Sequence, residues 1–179
     1  MSVRLQYGYL METTDVDLIC HQVNCLTVKS HGLSEQISNK YPWCDIYKTR
    51  QSLGGRNLAT LETRGIPGQV KIFQNSGHPS IGCMLAQWDY GRCDKPRMRN
   101  IQPYRDTNEN REKWFHQCLC EIGSLDYQRI AFPFKIGCGL AGGHWNTYFK
   151  MIKEFSRKYN KNVKIIVPAS RFRNYTTSY

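Results

Sequence analysis

Residues 130–145 read IAFPFKIGCGLAGGHW, and this stretch decides the fold. Its opening is apolar and closes on Pro133, the pattern of a short buried strand. Gly137, Gly139, Gly142 and Gly143 follow, and an amphipathic pattern opens at Trp145. Strand, glycine loop and helix in direct succession make an anion cradle. Glycine lets the backbone approach a phosphate with no Cβ in the way, and N–H groups at a helix start hold its charge. Each charge-assisted hydrogen bond of this kind contributes about 1.5–3 kcal/mol. The spacing is neither G-x-x-x-x-G-K-[ST] nor G-x-G-x-x-G, and it falls late in the chain. Nucleoside triphosphatases and dinucleotide dehydrogenases are therefore set aside.

Outward from this loop, short β-branched or aromatic runs at 3–7, 17–23, 70–74, 81–87, 129–133 and 162–167 read as buried strands. Helical spacing appears between them. Leu33, Ile37 and Tyr41 share a face up to the stop at Pro42, and residues 145–159 place Tyr148, Ile152 and Phe155 inward. Residues 106–122 open with Asp106 and Glu109, a capping-box pair, and end at Gly123. The turn-rich segment 51–68 reads as a connection plus the first arm of a hairpin, and residues 91–105 as an exposed basic loop. Strands alternating with helices predict a mixed α/β sheet covered on both sides, with ligands gathering at strand C-termini.

Length and composition fit one domain over residues 1–179, with 40% hydrophobic and 22% charged residues. The 8 cysteines form no C-x-x-C pair, so buried reduced thiols are expected and no metal site. The start of the chain has no apolar signal core and no run is long enough to span a membrane, so a soluble, cytoplasmic protein is expected. The net charge of +11 favours phosphate-bearing partners. The basic residues are dispersed and no nucleic-acid motif accompanies them, so nucleic acid is a secondary reading.

A second informative stretch, residues 17–42, reads DLICHQVNCLTVKSHGLSEQISNKYP. A strand delivers His21, Gln22 and Asn24 to its end, and Ser30, His31 and Gly32 open the next helix. Asn24 both donates and accepts, which suits the vicinal hydroxyls of a ribose.

The pattern HQVNC, then AQWDYGR, then IAFPFKIGCGLAGGHW resembles the macro domain family, in particular its ADP-ribose-1''-phosphate phosphatase-like branch and bacterial and phage relatives. The resemblance implies a three-layer α/β/α fold with a mixed central sheet, and a ligand that is ADP-ribose or a derivative. No cofactor is implied. Asn24 would lie near the distal ribose, with Gly137, Cys138, Gly139, Leu140, Ala141, Gly142 and Gly143 around the diphosphate. Phe172, after the last strand, would stack on the base. The family's acidic base contact is replaced in Gly8-Tyr9-Leu10, so Tyr9 takes its place, with Asp15 and Asp17 as alternatives. Lys29, Ser30, His31 and Gly32 stand where the family has a bare glycine loop, and would contact a group added to the sugar. Both family carboxylates of catalysis are absent, Ala141 and His144 standing in their positions. The chain therefore reads as a reader, sensor or sponge for ADP-ribose or an ADP-ribosylated macromolecule. The alternatives are a hydrolase using His21 and His144 as acid and base, and a binder of nucleic acid or poly-ADP-ribose. Asp89 and Arg92 read either as cleft residues or as a surface ion pair.

Overall fold

The computed structural model describes residues 2–94 and 101–169. Six strands form one sheet: β1 (Val3–Gly8), β2 (Leu18–Asn24), β3 (Val70–Phe73), β4 (Ser80–Gln87), β5 (Arg129–Pro133) and β6 (Asn162–Pro168). Their order is β1-β6-β5-β2-β4-β3, parallel throughout except for β3, which runs antiparallel to β4. The α-helices are α1 (Leu33–Lys40), α2 (Asn108–Gly123) and α3 (Trp145–Lys158). This is the mixed α/β sheet expected from the sequence.

The pleat of β2 divides the helices between two layers, because successive side chains point to opposite faces. His21 meets Ser34 of α1, whereas Gln22 and Tyr148 of α3 meet beneath Gly137. Helices α1 and α3 therefore cover opposite faces, and α2 packs on β4 beside α3. β4 is buried along its whole length, and Leu18, Ile130, Ala131, Phe132 and Ile165 are wholly excluded from solvent. Burying each large apolar side chain contributes about 1.5–3 kcal/mol. Cys20, Cys25, Cys44, Cys83 and Cys118 belong to this core.

Two local expectations are corrected. α2 is capped by Thr107, whose side chain accepts from the Asn110 amide. Asp106 instead pairs with the buried Arg111, a partnership that outweighs a cap. Segment 51–68 contributes no hairpin arm: it is a connection with a single bridge, Ser52 to Ala59, and the hairpin is β3–β4. Among the described residues no helix is long and apolar enough to cross a membrane.

β2 and β5 are neighbours at the centre of the sheet, yet the chain leaves them in opposite directions. After β2 it builds the β4–β3 side, and after β5 it crosses through α3 to β6. Such a reversal opens a crevice at the strand C-termini.

Candidate functional site

A cavity of about 850 Å³ fills that crevice. Three loops wall it: β2–α1 with His31, Gly32 and Ser34, β4–α2 with Tyr90, Gly91 and Arg92, and β5–α3 with Lys135, Gly137, Gly139, Leu140 and Ala141. They meet around the rim. The His31 and Tyr90 rings lie 5.9 Å apart. A Cβ on Gly32 would sit 3.2 Å from Leu140 Cδ1, and one on Gly142 would sit 2.8 Å from Arg92 Cγ.

The glycine-rich loop makes its own turns. The Cys138 amide donates to Lys135 O, Gly142 to Gly139 O and Gly143 to Gly137 O, at 2.9–3.1 Å. The amides of Gly139, Leu140 and Ala141 make no hydrogen bond to any described residue. Gly137 has a φ of +70°, and a Cβ there would come within 2.6 Å of the Tyr148 ring, so only glycine fits. Among the described residues the wall includes Arg92, Lys135 and His31 and no carboxylate side chain. Backbone N–H groups and the Arg92 and Lys135 cations thus border one space, the arrangement that holds an anion.

The floor is polar and oriented. Gln87 Nε2 donates to Asp89 O at 3.0 Å, so Gln87 Oε1 accepts from Gln22 Nε2 at 2.8 Å. That chain leaves the buried Gln22 Oε1 without a partner among the described residues.

Several expected site residues occupy other roles. Asn24 reaches the wall, but its Oδ1 accepts the Leu26 and Thr27 amides at 3.0 and 2.8 Å and its Nδ2 donates to Thr27 Oγ1 at 2.9 Å. Its side-chain amide shapes a turn at the cavity wall. Tyr47 and Ser34 are also in the wall and hold their neighbours loosely, Tyr47 Oη at 3.4 Å from the Asn24 amide and Ser34 Oγ at 3.3 Å from His21 Nδ1. Both therefore keep lightly engaged hydroxyls at the wall.

His21 is turned by the strand pleat into the α1 layer, 3% exposed, between Ser34 and Cys83 Sγ at 3.2 Å. Burial lowers its pKa to about 4. His144 is exposed at the start of α3. Neither ring lines the cavity, so the expected acid–base pair is not assembled there. Tyr9, more than half exposed, lies outside the wall, and so do Lys29 and Ser30. Lys29 is exposed, and Ser30 Oγ faces Ser38 Oγ at 3.4 Å. Asp15 pairs with Lys164, and Asp17 with Arg129 at the N-terminal end of the sheet, so neither replaces the missing acid. Cys138 donates its thiol to Ile136 O, and burial pushes its pKa up to about 11, which leaves it a poor nucleophile. Cys138, Gly142 and Gly143 support the loop without lining the cavity. Of the two readings of Asp89 and Arg92, Arg92 lines the cavity, whereas Asp89 is buried and the surface pair that forms is Arg92–Asp94. Phe172 lies outside the described residues.

Two residues that the sequence reading passed over hold the loops. Arg111 on α2, 2% exposed, donates to Gly91 O at 2.7 Å and Ala141 O at 3.1 Å while paired with Asp106. Arg50 donates to Asn24 O and Thr27 O, each at 2.6 Å.

No family model and no curated protein matches the chain. Solved structures do match. A protein of unknown function from Bacteroides thetaiotaomicron is 20% identical, with TM-score 0.67 over 93% of this chain and 98% of that one. The macrodomain of Mycobacterium tuberculosis DarG is 16% identical, with TM-score 0.62 over 93% and 99%. The Trypanosoma brucei macrodomain, solved in complex with ADP-ribose, is 12% identical, with TM-score 0.56 over 97% and 66%. Likeness at these identities is likeness of fold. The chain has the macrodomain fold, in agreement with the resemblance carried by its motifs.

Proposed function

We propose that this chain binds ADP-ribose, or an ADP-ribose bearing a further group on its distal sugar, and serves as a cytoplasmic reader, sensor or sponge. One observation carries the reading: among the described residues, the amides of Gly139, Leu140 and Ala141 have no hydrogen-bond partner, and they adjoin a cavity whose wall holds Arg92, Lys135 and His31 and no carboxylate. The diphosphate sits against those amides. The distal sugar lies toward Tyr47 and Ser34, and a group added to it meets His31. The Trypanosoma macrodomain solved with ADP-ribose supports the choice of nucleotide. Charge-assisted bonds of about 1.5–3 kcal/mol each, offset by the cost of association, lead to an expected micromolar Kd.

Binding is favoured over hydrolysis because the two histidines expected to exchange protons are outside the wall. Isothermal titration with ADP-ribose, AMP and ribose 5-phosphate tests the reading. Saturable 1:1 binding of ADP-ribose, tighter than either fragment, is expected, with the ligand recovered intact after overnight incubation. No saturation by ADP-ribose overturns the reading. Recovered product moves it to the hydrolase class. A steeply salt-dependent affinity for oligonucleotides without ADP-ribose binding moves it to nucleic acid.

A further inference from the structure

Arg92 stands where the β4–α2 loop meets the glycine-rich loop. Its stem lies across Gly142, a glycine with φ of +75°. A side chain at that position is opposed twice, by the backbone and by the arm laid over it. Arg92 belongs to the cavity wall, yet its Nε and Nη2 are turned to Asp94, at 2.9 and 3.0 Å. Both partners are exposed, with side chains at 57% and 53%. A fork of this kind in water is held weakly, because solvent competes for both charges. A phosphate presents the same geometry with more charge, and guanidinium matches it in bidentate fashion.

We infer that Arg92 is the side-chain arm that grips the ligand's diphosphate, and that Asp94 is the internal anion it releases when ligand arrives. The inference rests on the reading that the cavity takes a diphosphate nucleotide. Asp94 is then a competitor that sets affinity, and Gly142 is the seat that lets the arm lie flat over the loop. The two acidic and basic neighbours therefore have opposite effects on binding, which a merely structural surface pair does not produce.

Titration calorimetry with ADP-ribose and, separately, inorganic pyrophosphate tests this. Arg92→Gln is expected to weaken ADP-ribose about tenfold, and Asp94→Asn to tighten it by about threefold, as one fork hydrogen-bond pair is lost or freed. The Asp94→Asn gain disappears when Arg92→Gln is also present. Asp126→Asn, the same charge change at an exposed site before β5, leaves affinity unchanged. All three positions of change are on the surface, so thermal melts stay at the wild-type value. Equal affinities for wild type, Asp94→Asn and Arg92→Gln overturn the arm while ADP-ribose binding stands. Equal tightening by Asp126→Asn and Asp94→Asn also overturns it, since net charge alone then accounts for the gain. If pyrophosphate binds and ADP-ribose does not, the same pattern of signs on pyrophosphate upholds the arm and only the nucleotide reading falls. No saturable binding of either probe overturns both.

Discussion

The cavity is held from below by two buried arginines that solve the same problem differently. Arg111 draws in the carbonyls of Gly91 and Ala141, one from each of two loops, and Arg50 draws in those of Asn24 and Thr27 within the third. Arg111 carries its own counter-ion, since Asp106 accepts from Nε and Nη2, both at 2.6 Å. Burial works against its charge, but the Asp106 hydrogen bonds and charge outweigh burial and raise its pKa. Arg50 has no carboxylate within ion-pair distance among the described residues, and stacks on Tyr47 at 4.8 Å. Burial lowers its pKa. The glycine-rich side is thus anchored by a compensated pair, while the β2–α1 side hangs on a cation whose desolvation is repaid only by carbonyls and a ring.

The sharpest way to break this contrast is to remove the counter-ion. Asp106→Asn leaves a guanidinium 2% exposed beside a neutral amide, and the loss of a buried pair's partner costs about 3–5 kcal/mol. Urea denaturation measures it. The same variant frees Gly91 and Ala141 from a firmly held anchor, so ADP-ribose affinity falls about tenfold or more, a change of about 1.4 kcal/mol. A loss smaller than that of Arg50→Met would show that Asp106 is not what stabilises Arg111.

The next effect belongs to the β2–α1 side alone. An unfolded histidine takes up its proton near pH 6.5, whereas buried His21 does so at about 4. Between those values the unfolded chain binds more protons, so stability present at pH 7 is lost as the pH falls, by about 3 kcal/mol in total. Urea midpoints at pH 7 and pH 4.5 measure the slope, and His21→Gln flattens it. A slope unchanged in that variant would place the titrating group elsewhere.

Legibility follows how far apart the partners lie in sequence. β5, the glycine loop and α3 were readable because the elements are covalently consecutive and the φ demands fall on glycines, at Gly137 and Gly142. The assignment of the α2 cap failed because Asp106 and Thr107 are both good caps, and the choice was made by Arg111, a residue whose burial no local pattern announces. His21 was misjudged by one step of the pleat, which sends alternate residues to opposite faces. Arg92 reads as a cleft candidate in the sequence, and the same signal extends to Tyr90 and Gly91, since all three follow the fully buried β4 at its C-terminal end, where ligands of such sheets collect. Arg50 was not, because its partners at Asn24 and Thr27 are brought to it only by the folded turn.

Replacing Arg50 by Met sharpens the contrast from the other side. Two charge-assisted hydrogen bonds are lost and two buried carbonyls are left without their donor, but the uncompensated burial of the charge is lost with them, so the net cost is about 1–2 kcal/mol. The result to compare is the denaturation midpoint of this variant against Asp106→Asn. Equal losses would mean that the carbonyl cage and the ring compensate a guanidinium as well as a carboxylate does, and the distinction between the two anchors would dissolve.

The smallest expected effect on affinity tests whether the weaker anchor leaves the rim yielding. Gly32 has a φ of +59° and a ψ of −127°, outside the left-handed helical basin and in a region essentially reserved for glycine, where a side chain costs about 1–3 kcal/mol. Its new Cβ would meet only Leu140 Cδ1, at 3.2 Å, and Leu140 is 73% exposed, so the tip turns aside instead of straining the loop. Gly32→Ala is therefore expected to lower stability by that backbone cost of about 1–3 kcal/mol and to have the smallest effect on ADP-ribose affinity, less than Asp106→Asn has. Thermal melts and calorimetry on the two variants give the comparison. Should Gly32→Ala cost as much affinity as Asp106→Asn, the β2–α1 loop is as rigidly set as the glycine-rich loop, and a buried cation without a counter-ion is then enough to hold a binding loop in place.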